Sequence, residues 1–68
     1  MVDWNALLKD LGPRLLRYFL ASFSRAISND LVQETLIRLV QKSERGDFDP
    51  SRGTYSTLAF GIAYYVRL

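Results

Sequence analysis

Cysteine and histidine do not occur in this sequence of 68 residues. Their absence excludes disulfides, thiolate and imidazole metal ligands, and acid–base catalysis through an imidazole. No carboxylate pair stands in an evident cleft arrangement either, so the sequence predicts neither an enzyme nor a bound metal or cofactor. Charge of one sign is also scarce. Nine Lys and Arg against seven Asp and Glu leave a net charge of +2, too mild by itself to indicate a nucleic-acid partner. No apolar run approaches the ~20 residues of a membrane span, and the opening M-V-D-W-N lacks the basic and apolar segments of a secretion signal. A cytoplasmic protein without membrane contact is the expectation. Repeats, low-complexity tracts and linker-like stretches are missing too, which predicts a single domain over residues 1–68.

What is present suits a small folded module: 49% of residues are hydrophobic and 24% charged, enough for one modest core and no second lobe. Period-two alternation is absent and three- to four-residue spacing recurs, so the fold class is all-α, a bundle of three to four helices. Trp4, Leu7, Leu8 and Leu11 carry the spacing from Asp3 to Leu11. Gly12-Pro13 then interrupts it, giving either two helices, the second over Arg14 to about Ser24, or one kinked helix. Ser28 or Asn29 is expected to cap the next helix, with Asp30 in its first turn against the positive end of the dipole. Gly46 is expected to end it near Arg45. After G-D-F-D-P-S-R-G, Thr54 or Ser56 opens a last helix reaching the chain end.

Projection of residues 29–45 at ~100° per residue places Leu31, Val32, Thr35, Leu36, Leu39 and Val40 on an apolar face. Asp30, Gln33, Glu34, Ile37 and Gln41 fall on the other side. These are either a solvated face or an interaction patch in which Ile37 is a central apolar contact with a polar rim. Asp30, Glu34, Glu44, Asp47 and Asp49 load the middle of the chain with carboxylates, which fits a basic partner. In the last helix Tyr55, Leu58, Ala59, Ile62, Tyr65 and Val66 make the expected core face, leaving Thr57, Phe60, Tyr64 and Arg67 opposite. Exposed aromatics beside an arginine can stack on unpaired bases, or can be a surface whose covering partner is missing.

D-L-V-Q-E-T-L-I-R-L, followed after a short spacer by F-D-P-S-R-G-T-Y-S-T-L-A-F-G-I-A, resembles region 2 of the bacterial RNA polymerase sigma factors, closest to the extracytoplasmic-function group. The earlier L-L-R-Y-F-L resembles the preceding helix of that family, so the likeness runs from about Leu8 to the end. It implies a small all-helical bundle that binds core RNA polymerase through about residues 28–45 and recognises and helps open the −10 promoter element through about residues 47–68. Carried over by position, it implies contacts of Asp30, Gln33, Glu34, Ile37 and Gln41 with the clamp helices of the β′ subunit. It further implies contacts of Arg52, Thr54, Tyr55, Ser56, Thr57, Phe60, Tyr64 and Arg67 with the non-template DNA strand. An anti-sigma factor is a further partner that the resemblance allows.

The chain departs from the family at definite positions. Gly61 and Ile62 stand where housekeeping sigma factors have a pair of tryptophans that wedge the duplex open, and Leu58 stands where the smaller group commonly has Trp. Tyr64 and Tyr65 replace an Arg-Asn pair and a basic stretch. The helix-turn-helix domain that reads the −35 element has no counterpart, so the resemblance implies an excised domain or a shortened product. A sigma-like interaction module, acting as a decoy or binding an anti-sigma factor without any role on DNA, is the alternative expectation.

Overall fold

Each helix begins on a side-chain oxygen that the sequence supplies. In the computed structural model, which describes residues 2–48 and 53–68, α1 spans Trp4–Leu20, α2 spans Arg25–Glu44 and α3 spans Tyr55–Val66. Asp3 Oδ1 accepts from the Ala6 amide at 3.2 Å, Ser24 Oγ from the Ile27 amide at 3.3 Å, and Thr54 Oγ1 from the Thr57 amide at 3.1 Å. Each is an N-cap that satisfies an amide the helix itself cannot. The described residues contain no strand, so the fold is all-α.

Gly12-Pro13 does not break the first helix: α1 runs through both residues. A proline inside a helix costs ~3 kcal/mol through a lost hydrogen bond and a ring clash. Leu11, Leu15 and Phe19, spaced four apart on one side, are at most 1% exposed. Burying three such side chains contributes ~1.5–3 kcal/mol each, which exceeds the proline's cost and carries the helix across it. Pro13 itself faces solvent, where the carbonyl it leaves unpaired can be hydrated. Pro13→Ala is therefore expected to raise stability by about 1–3 kcal/mol in urea denaturation, less any loss from a freer unfolded chain. A destabilised variant would show that the proline is required for the helix path.

The second helix starts one turn earlier than Ser28 or Asn29. Ser24 is its cap, and Ser28 is fully buried with its hydroxyl donating to the Phe23 carbonyl at 3.4 Å. Both serines have cap chemistry; the packing of Ser28 decides between them. Asp30 consequently lies beyond the first turn, outside the range of a helix-end dipole effect. At the other end Gly46 takes a φ of 75°, the Asp47 amide donates to the Lys42 carbonyl at 2.9 Å, and the Gly46 amide to the Ser43 carbonyl at 3.1 Å. This 6→1 and 5→2 pair is a Schellman stop, and it requires the left-handed backbone that glycine takes at least cost.

Val32, Thr35 and Leu39 of α2 meet Leu11, Leu15 and Phe19 of α1 and Ala59, Ile62 and Ala63 of α3 in one core. The hydroxyl of buried Thr35 donates to the Leu31 carbonyl at 2.7 Å, so its burial leaves no polar atom unpaired. The last helix is rotated relative to the expected face. Ala63 is buried and Phe60 packs against the core, whereas Tyr65 is 73% exposed. Placing the small residues Ala59 and Ala63 inward lets α3 come close to its neighbours. Among the described residues no helix is long and apolar enough to cross a membrane.

Candidate functional site

Two surfaces carry the residues singled out from the sequence. The first is the outer face of α2, where Asp30, Gln33, Glu34, Ile37 and Gln41 are all exposed on one helix. Ile37, 51% exposed, forms a ridge between two depressions. The larger, about 500 Å³, is bounded by Glu34, Arg38, Gln41, Lys42 and Arg45. The smaller, about 330 Å³, is mostly apolar and is bounded by Leu8, Gln33, Leu36, Val40 and Gln41. Leu8 comes from α1, so this hollow exists only because α1 packs beside α2.

Charge on this face is segregated along the helix. Asp30 and Glu34 precede Ile37, while Arg38, Lys42 and Arg45 follow it at spacings of four and three. Arg38 Nε donates to Glu34 Oε1 at 2.7 Å and Arg45 Nε to Asp47 Oδ2 at 3.2 Å. Both pairs are about half exposed, so each is worth only ~0–1 kcal/mol and can be exchanged for a partner's charge at little cost. The carboxylates that load the middle are thus joined by cations: Asp30 and Glu34 stand before Ile37, and Arg38, Lys42 and Arg45 stand after it with Glu44 among them. Arg38, Lys42 and Arg45 are legible as neighbours from their spacing of four and three, within a stretch that also holds Glu34, Glu44 and Asp47.

The second surface joins α3 to α1. Arg14 donates to Asp10 Oδ2 at 2.9 Å and to Ser56 Oγ at 2.8 Å, and its guanidinium lies 5.5 Å from the Phe60 ring centre. Phe60 meets Tyr18 edge-on at 5.7 Å. Arg67 donates to the Tyr18 hydroxyl at 3.4 Å and to Ser22 Oγ at 3.3 Å, with its guanidinium 5.6 Å from the Tyr18 ring centre. The contacts run in the same order along both helices, so α1 and α3 lie parallel. Arg14, Tyr18 and Ser22 carry no signal of this role in the sequence, because it arises only where α1 lies beside α3.

The residues expected to meet DNA are thereby divided. Ser56, Phe60 and Arg67 hold α3 to α1; Phe60 is partly buried and does not stand clear as expected. Tyr55 is half-buried, 5.5 Å from the Trp4 ring centre and 4.5 Å from that of Phe48, with its hydroxyl 3.4 Å from Ser43 Oγ. Thr54 caps α3 and its hydroxyl lies 3.0 Å from that of Thr57. Thr57 and Tyr64 remain exposed, and the Tyr64 and Tyr65 ring centres are 5.8 Å apart. Arg52 lies outside the described residues, as does the rest of the D-P-S-R segment.

Where the resemblance would put aromatic side chains, α3 has a hollow of about 320 Å³ bounded by Lys42, Thr57, Leu58, Gly61, Ile62 and Tyr65. A side chain begun at Gly61 would point into open space, and Ile62 is held in the core. Among the described residues no cluster of carboxylates gathers that could hold a metal ion. Comparison with protein-family models, with curated proteins and with solved structures gives no match.

Proposed function

We propose that this chain is a sigma region 2-like domain that binds core RNA polymerase through the outer face of α2 and meets the −10 non-template strand through α3 and the loop before it. The observation that carries the reading is the α2 face itself. Asp30, Gln33, Glu34 and Gln41 surround a half-exposed isoleucine on one continuous helix whose opposite side is buried in the core. An apolar centre within a polar rim, presented without any ordering cost, is the anatomy of a protein-docking surface. Basic side chains on a β′ clamp helix would pair with Asp30 and Glu34 while Ile37 packs at the centre. On this reading the protein works in the cytoplasm, needs no cofactor and performs no catalysis of its own.

A second reading, an interaction module of sigma-like form without DNA recognition, is favoured by one specific feature: Ser56, Phe60 and Arg67 are engaged with α1. Of the described strand-facing set, Thr54, Thr57 and Tyr64 stand free of such contacts to α1 or the core. Two measurements on the same preparation test the function and separate the readings. Glu34→Lys or Gln33→Lys is expected to lower capture by core polymerase at unchanged helicity, and equal capture of variant and wild type would remove the docking claim. In fluorescence anisotropy a single-stranded −10 oligonucleotide is expected to bind weakly but better than the same sequence as duplex. The salt slope should be shallow, roughly −0.7 per phosphate contacted. No preference over a scrambled strand at low salt would leave the interaction module.

A further inference from the structure

The outer face of α2 is complementary to itself, and we propose that it forms the seam of an antiparallel homodimer whose second member is another copy of this chain. At ~1.5 Å of rise per residue, Asp30 and Glu34 lie roughly 10.5 and 4.5 Å before Ile37, and Lys42 and Arg45 roughly 7.5 and 12 Å after it. Turning a copy end for end about Ile37 therefore sets carboxylates opposite cations with offsets of ~1.5–3 Å, within the reach of lysine and arginine side chains. At ~100° per residue, Glu34, Arg38, Lys42 and Arg45 fall on one flank of Ile37, and Gln33, Leu36 and Val40 on the other.

A two-fold axis keeps like flanks together. The charged flank then meets the charged flank with its polarity reversed, and the apolar flank meets the apolar flank. Ile37 of each copy reaches the hollow bounded by Leu8, Leu36 and Val40 on the other. Glu44, level with Asp30 of the other copy, and Arg38, ~3 Å along the axis from its own counterpart, are the like-charged neighbours in this register. The Glu34–Arg38 pair, about half exposed, can re-pair across the seam.

This inference goes beyond the polymerase reading and does not depend on it. One face cannot hold both partners, so the dimer would mask the polymerase-docking surface, and its dissociation would release it. A seam ~30 Å long made by a single helix pair is small, and the association is expected in the roughly micromolar to millimolar range.

Sedimentation equilibrium of the chain alone, up to ~1 mM, tests the proposal without any polymerase present. The wild type should show a monomer–dimer equilibrium that weakens with added salt. Lys42→Glu should weaken it roughly tenfold, and Glu34→Lys/Lys42→Glu, which inverts the pattern but keeps it self-complementary, should restore it to within about threefold. Circular dichroism checks that each variant remains helical. A wild type that stays monomeric, or a double variant as weak as Lys42→Glu, would overturn the proposal, as would a dimer indifferent to Ile37→Asp. The double variant also separates the two readings, because its inverted charges regain self-association but not polymerase capture.

Discussion

Replacing Phe19 with alanine is expected to cost about 3–5 kcal/mol and to leave a large share of the molecules unfolded at room temperature. A chain of this length has ~3–10 kcal/mol of stability in total, at ~0.05–0.15 kcal/mol per residue. Phe19 is 1% exposed, is the largest of the fully buried side chains, and meets Tyr18 edge-on at 5.3 Å. Its carbonyl also accepts the Ser22 and Phe23 amides, at 3.0 and 2.9 Å, where α1 ends. The cavity left by the ring would open the core at the turn that sends the chain into α2. Thermal melting by circular dichroism should show a midpoint lowered by roughly 12–40 °C, or no cooperative transition. Tyr64→Ala, at a position 54% exposed, should stay within about 0.5 kcal/mol of wild type. Equal shifts for the two variants would mean that the core has been assigned to the wrong side of α1.

The largest expected effect on binding belongs to Ile37. Ile37→Asp puts a carboxylate at the centre of the proposed polymerase-docking face, beside Glu34 and one turn from Gln33 and Gln41. At a desolvated interface centre such a change is worth at least ~2 kcal/mol, which lowers affinity for core polymerase about thirtyfold or more. The fold should not register it beyond the ~0.5 kcal/mol difference in helix propensity, since the side chain is half exposed. Binding and melting measured on the same sample therefore decide the point. Loss of affinity with an unchanged melt supports the docking face, whereas affinity retained within threefold removes Ile37 from it.

Much of the helical frame is legible along the sequence because it depends on local chemistry. Asp3 and Thr54 cap where a short polar side chain precedes an apolar period, and Gly46 ends α2 because no other residue takes its backbone angle so readily. What escapes is decided between helices. Pro13 reads locally as a break, and only the burial of Leu11, Leu15 and Phe19 against the rest of the core keeps α1 continuous through it. Ser28 reads as a cap until packing closes over it.

The same division holds for the surfaces. Asp30, Gln33, Glu34, Ile37 and Gln41 share a face by helical period alone, so their exposure follows from sequence. Phe60 and Arg67 do not, because helical projection treats α3 as an isolated rod. Tyr18 and Arg14 of α1 draw Phe60 inward, Arg67 stays exposed but is engaged by Tyr18 and Ser22, and α3 rotates until Ala63, not Tyr65, meets the core.

The most direct measurement of the docking claim is a titration of fluorescently labelled wild-type chain with core RNA polymerase carrying no sigma factor. The account predicts saturable binding at one chain per polymerase, displaced by an intact sigma factor competing for the β′ clamp helices. Binding that does not saturate, or that an excess of sigma factor leaves in place, would contradict it.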